Sequence, residues 1–103
     1  MKVAIALHHE RKDSQVHENF GRCACFGIYD SGTGDLRFVP NADLDQPGHA
    51  GLRASHMLIR EGVQLVIAGR FGSNVMDYLE KKNIRMVVTE LPRSLEDILQ
   101  TIK

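Results

Sequence analysis

The feature that most limits the fold is a short apolar run, Val63 to Ala68, interrupted only by Gln64 and set between two segments of helical period. Such a run is too short for a buried helix, and a nearly continuous apolar stretch marks a strand covered on both faces, as parallel strands are. Before it, Gly51 to Glu61 reads as a helix ended by Gly62, with Leu52, Met57, Leu58 and Ile59 as a broad apolar face. After it, the glycine-punctuated turn Gly69–Asn74 leads into a helix holding Val75, Met76, Tyr78 and Leu79, and Ile84 to Thr89 reads as a strand. A strand, a crossover helix and a parallel strand form a right-handed unit. Ser94 then caps a last helix with Leu95, Ile98, Leu99 and Ile102 at helical spacing.

The first half is strand-rich. Lys2 to Leu7 sets Val3, Ile5 and Leu7 on one face and Ala4 and Ala6 on the other, the alanines leaving room for a helix to approach. Cys23 to Asp30 and Leu36 to Pro40 read as two strands of a hairpin joined at Ser31–Asp35. His8 to Gly21 and Asn41 to His49 are polar and read as loops, expected to be the most mobile segments without a ligand. The order is β-β-β-α-β-α-β-α, an α/β fold with a five-stranded mixed sheet and helices on both faces. No linker or repeat divides residues 1–103, so one domain is expected.

Composition excludes several functions. Thirteen basic and thirteen acidic residues give a net charge of zero, and no basic stripe is present to follow a nucleic acid. No apolar run approaches the roughly 18 residues that span a bilayer. The opening Met1–Leu7 is too short for a signal segment and runs into His8-His9-Glu10, so a cytoplasmic protein is expected. There the two cysteines, spaced Cys-x-Cys, stay reduced.

The chemistry gathers between Val16 and Phe26, which hold His17, Arg22, Cys23 and Cys25. If the Val63–Ala68 strand lies beside and parallel to the first, the loops after the first, third and fourth strands leave one edge of the sheet. Ligands of open α/β sheets favour that carboxyl edge. It would collect His8, His9, His17, His49 and Cys23, with Arg22 and Arg70 as cations and two helix N-termini near Gly51 and Ser73. Imidazole and thiol groups beside positive charge suit an anionic metal–sulfur species and suit magnesium poorly. Cys23 and Cys25 would share a face if their strand is regular. Of the adjacent His8 and His9, at most one is expected to join the site. Two enzyme readings fare badly. A two-magnesium nuclease needs converging carboxylates, and the first strand has none. A hydrolase built on Cys23 and His17 lacks a marked orienting group and oxyanion hole. A module that binds a small anion without metal remains the alternative.

The sequence resembles the dinitrogenase iron–molybdenum cofactor-binding family, which includes NifX, the C-terminal part of NifB and the nitrogenase accessory factor core domain. The likeness covers nearly the whole chain. It rests on Met1–Ala6, on Val16-x-x-x-Phe20-Gly21-Arg22-Cys23 followed by Phe26 and Asp30, on Asn41, and on Gly48-x-Ala50-Gly51. It continues through Gly62-Val63 and Val66-Ile67-x-Gly69-x-x-Gly72-x-Asn74. The resemblance implies a ribonuclease H-like fold and a non-catalytic carrier of an iron–sulfur or iron–molybdenum–sulfur cluster, served by cluster-donating and cluster-accepting proteins. Arg22, Gly48, Gly51, Gly69, Arg70, Gly72 and Asn74 are the residues expected to line the cluster site, with His17, Cys23 and His49 as metal ligands. One departure stands out. The family pattern has His immediately before Phe-Gly, and this chain has Asn19, an amide poorly suited to soft metal sites. Either His17, Cys23 or His49 substitutes, or this member binds something else.

Overall fold

The computed structural model describes residues 1–41 and 50–102. Among them, five strands form one sheet: β1 (Lys2–Leu7), β2 (Cys25–Asp30), β3 (Leu36–Pro40), β4 (Leu65–Ala68) and β5 (Arg85–Val88). Its order is β3-β2-β1-β4-β5. β1 pairs antiparallel with β2, and β4 runs parallel to both β1 and β5. The arrangement that brings the loops to one edge is therefore present.

Among the described residues three α-helices cover the sheet: α1 (Ala50–Arg60), α2 (Ser73–Lys81) and α3 (Leu95–Ile102). The alternation in β1 divides the core. Ala4 and Ala6 face a cluster with Phe26, Val66, Leu58 of α1 and Leu79 of α2. Val3, Ile5 and Leu7 face a second cluster with Ile67 and with Leu95, Ile98 and Leu99 of α3. Each such aliphatic side chain contributes about 1.5–3 kcal/mol when fully buried. The small side chains of β1 thus lie on the face that carries α1 and α2. Ser94 Oγ accepts from Asp97 N (3.2 Å), capping α3 as its sequence position required.

Two expectations need correction. The second strand begins at Cys25, not Cys23, because a 3-10 turn over Phe20–Arg22 delays extended pairing. The loop after β1 is also more firmly held than its polarity suggested. Ser14, buried, accepts from the amides of His8 (3.2 Å) and His9 (3.0 Å) through Oγ, and its carbonyl accepts from Leu95 N (2.9 Å). Val16 enters the second core cluster, and its amide donates to Arg93 O at 2.8 Å. His17 N then donates to Ala6 O (2.8 Å), while Gly69 N donates to His17 O (3.0 Å). The loop is stitched across the ends of β1 and β4. The loop expected at Asn41–His49 lies outside the described residues except for Asn41.

Candidate functional site

The site is built where the 3-10 turn meets the starts of α1 and α2. Phe20 anchors the turn: it is fully buried, with its ring centroid 5.4 Å from both Phe26 and Phe71. Asn19 begins the turn and accepts from Gly21 N through Oδ1 (3.0 Å), so its amide group serves as a cap. Gly21 lies against the backbone of α1. A Cβ placed on it would fall 3.1 Å from Gly51 Cα, and one on Gly51 would fall 2.6 Å from Val75 Cγ2. Side chains at either position would force the turn and the two helices apart.

Beside this contact lies an open cavity of about 340 Å³, walled by Asn19, Arg22, Gly51, Gly72, Ser73 and Asn74 among others. Neither α1 nor α2 carries an acidic residue in its first turn, and Gly72 caps α2 without a side-chain hydrogen bond. The first amides of α2 therefore keep their affinity for an anion, and exposed Arg22 adds a full positive charge. Of the residues expected to line the cluster site, Arg22, Gly51, Gly72 and Asn74 do line this cavity.

Gly69 and Arg70 are not among its walls. Gly69 passes so close to the loop that a Cβ would lie 2.7 Å from Glu18 Cα and 2.8 Å from Glu18 O. Arg70 contributes its carbonyl, which accepts from Phe20 N at 3.1 Å, while its side chain is exposed. Both hold the turn in place through their main chain. Gly48 and His49 lie outside the described residues.

The cysteines depart furthest from expectation. Cys23 is 0% exposed, sits in the cluster beneath α1 and α2, and donates its thiol to Phe20 O at 3.3 Å. Burial, with Cys25 as a lesser cause, pushes that thiol up to about 12. Cys25 is 2% exposed and belongs to the cluster on the opposite face, its thiol raised to about 11 by burial and then by Glu10. The pair cannot ligate together, because the turn before β2 breaks the two-residue period that would have aligned them. Cys23 is a core residue, clamped by Asn41, whose Nδ2 donates to Cys23 O at 3.0 Å. Neither thiol is a poised nucleophile, which leaves the hydrolase reading without its central group.

His17 takes a different position from the one expected of a cavity ligand. Its Nδ1 accepts from Asn19 N (2.9 Å), and its Nε2 lies 3.7 Å from Glu18 Oε1. Glu18 Oε2 is 3.4 Å from His8 Nε2, and the two imidazole rings are 4.3 Å apart. Burial holds the His17 ring below the ordinary histidine value, partly offset by Glu18. The Glu18 carboxyl is lowered by its own backbone amide and then by His17. Of the adjacent histidines, His8 faces this group, while exposed His9 has its ring 6.4 Å from that of His8. Glu18 was missed in the sequence because exposed acids in a polar loop are ordinary, and Glu10 and Asp13 share this one; its place next to His17 was the only signal.

Comparison with known proteins agrees with this geometry. The family described as "Dinitrogenase iron-molybdenum cofactor" matches residues 1–103. The apo form of the orange protein from Desulfovibrio gigas has the same fold, with a TM-score of 0.90 and 23% identity over 96% of this chain and 83% of that one. A Thermotoga protein assigned as NifB, solved by NMR, superimposes with a TM-score of 0.84 and 26% identity over 97% of this chain and 84% of its own. No curated protein matches the chain in sequence.

Proposed function

The chain belongs to the dinitrogenase iron–molybdenum cofactor family, and from that premise we propose that it binds and carries an anionic metal–sulfur cluster without catalysing a reaction. The observation that carries this reading is the cavity in which Arg22 and the uncapped start of α2 converge, with no acidic residue in the first turn of either flanking helix. Such a container suits a sulfide-bridged anion held by charge and by backbone N–H groups. An iron–sulfur or iron–molybdenum–sulfur cluster has the required charge, and the cavity's openness suits a cargo received from one protein and passed to another. His49, next in sequence to the cavity wall at Ala50, is the proposed imidazole ligand. Cys23 is withdrawn from the ligand set, since its sulfur lies in the core.

The sheet order supports a ribonuclease H-like description, yet β1 lacks the carboxylates on which a two-magnesium nuclease depends. No helix among the described residues is long and apolar enough to cross a membrane, and a cytoplasmic carrier remains the reading. A second reading, a small-anion module without metal, is favoured by one fact: the family's usual histidine is here Asn19, which is engaged as a cap.

The test is anaerobic purification followed by iron, molybdenum and acid-labile sulfide analysis, repeated on Arg22→Ala and His49→Ala. Retention of metal and sulfide together, reduced in both variants, is the expected result. No uptake after anaerobic reconstitution with iron, molybdate and sulfide salts overturns the carrier reading. Calorimetry with inorganic phosphate and sulfate then tests the second.

A further inference from the structure

We propose that His8, His17 and Glu18 form a binding site for one divalent transition-metal ion, distinct from the cluster cavity, and that filling it releases the Asn19 amide at the cavity wall. The ligand atoms of these three residues lie within 4.8 Å of one another. A tetrahedral ion with bonds of about 2.0–2.1 Å holds neighbouring donors roughly 3.4 Å apart. The carboxylate reaches both rings, Oε2 lying 3.4 Å from His8 Nε2 and Oε1 3.7 Å from His17 Nε2, so each imidazole already has a carboxylate oxygen near that span. Closing the three donors from within 4.8 Å to that span is a matter of side-chain rotation.

The backbone that carries the three donors is held in place. Ser14 Oγ fixes the His8 backbone, and Gly69 N ties down the His17 carbonyl at 3.0 Å. Gly69 further packs against Glu18 Cα, an approach that a side chain there would prevent. The Glu18 side chain is 64% exposed and that of His8 38% exposed, so an ion reaches the site from solvent and keeps positions open for water. Two imidazole nitrogens and one carboxylate oxygen select borderline ions such as Zn²⁺ or Co²⁺ and reject Mg²⁺.

The consequence for Asn19 follows from proton placement. With Nδ1 of His17 accepting from the Asn19 amide, the neutral ring carries its proton on Nε2. Coordination through Nε2 moves that proton to Nδ1, where it would face a second donor. The 2.9 Å bond from Asn19 N is then lost. Asn19 starts the turn that walls the cavity, so the ion and the cavity are coupled through one tautomer.

The test uses the untagged, cluster-free protein and Co²⁺ or Zn²⁺ alone, so its outcome is independent of whether the chain carries a cluster. One Co²⁺ per chain is expected, visible by its ligand-field absorption and displaced by Zn²⁺ but not by Mg²⁺. His8→Ala and Glu18→Gln, both at accessible positions, should each weaken Co²⁺ binding at least as much as the roughly 10- to 100-fold typical of losing an outer-shell partner, with unchanged circular dichroism. Binding as tight in either variant as in the parent overturns the site. In ¹⁵N spectra with Zn²⁺, the Asn19 amide and His17 Nδ1 should shift together; if both stay fixed while Zn²⁺ binds, the coupling is refuted.

Discussion

Gly69→Ala offers the sharpest test of how the loop is held. The new methyl would lie 2.7 Å from Glu18 Cα, 2.8 Å from Glu18 O and 2.9 Å from Leu91 Cδ1. Leu91 can rotate away, but the Glu18 backbone moves only with the loop. Overpacking of this kind costs about 1–3 kcal/mol. Displacing the loop also lengthens the Gly69 N to His17 O bond, worth about 1 kcal/mol. Loss of glycine's freedom in the unfolded chain returns about 0.4–1 kcal/mol. The balance is a destabilisation of about 2 kcal/mol, and at 4–8 °C per kcal/mol for a domain near this size the midpoint falls by roughly 8–16 °C. Gly72→Ala is the control. Nothing lies within 4 Å of its Cβ position and its φ is −70°, so the entropic gain and the small loss of a preferred N-cap residue nearly cancel. Calorimetric melting of the two variants beside the parent decides the matter. Equal melting of both alanine variants would refute the close-approach argument.

Three further outcomes follow from the same geometry. Neither cysteine should react with a thiol reagent at pH 8 while the protein is folded, and both should react in denaturant; rapid native labelling of Cys23 would contradict its burial. The His17 pKa is lowered on folding, so the unfolded chain binds more protons between the folded and unfolded values. Stability is therefore full above the ordinary histidine range and falls as pH drops through about 6.5, a slope that urea melts should show diminished in His17→Gln. Asn41→Ala removes the donor to Cys23 O and should cost about 1–3 kcal/mol in denaturant melts, the penalty of an unpaired buried carbonyl; a neutral result would mean that another donor reaches it.

Regular elements were legible because their periods were undisturbed. The large–small alternation of β1 named the two faces of the core, and Ser94 with its four apolar followers located α3. The functional edge rested on the supposition that β4 lies beside and parallel to β1, which the pairing of the two strands bears out. What the sequence hid was local and irregular. The 3-10 turn carries no periodic signal, so Cys23 and Cys25 were aligned on a face they do not share. Val16 is flanked by polar residues in the loop, and nothing in its neighbourhood announced that backbone bonds to Ala6 and Arg93 would pin that loop. Asn19 read as an absent ligand; in space it is a cap and the hydrogen-bond donor to His17.

The contact between Gly21 and Gly51 has one more implication. Because main chain meets main chain there, the spacing between the turn and α1 is set by the backbone and not by the side chains on the lip of the recess. Substitutions at 22 or 74 can change what is recognised while this backbone contact stays in place. A lineage could exchange one cargo for another by single steps, each leaving the folded scaffold intact.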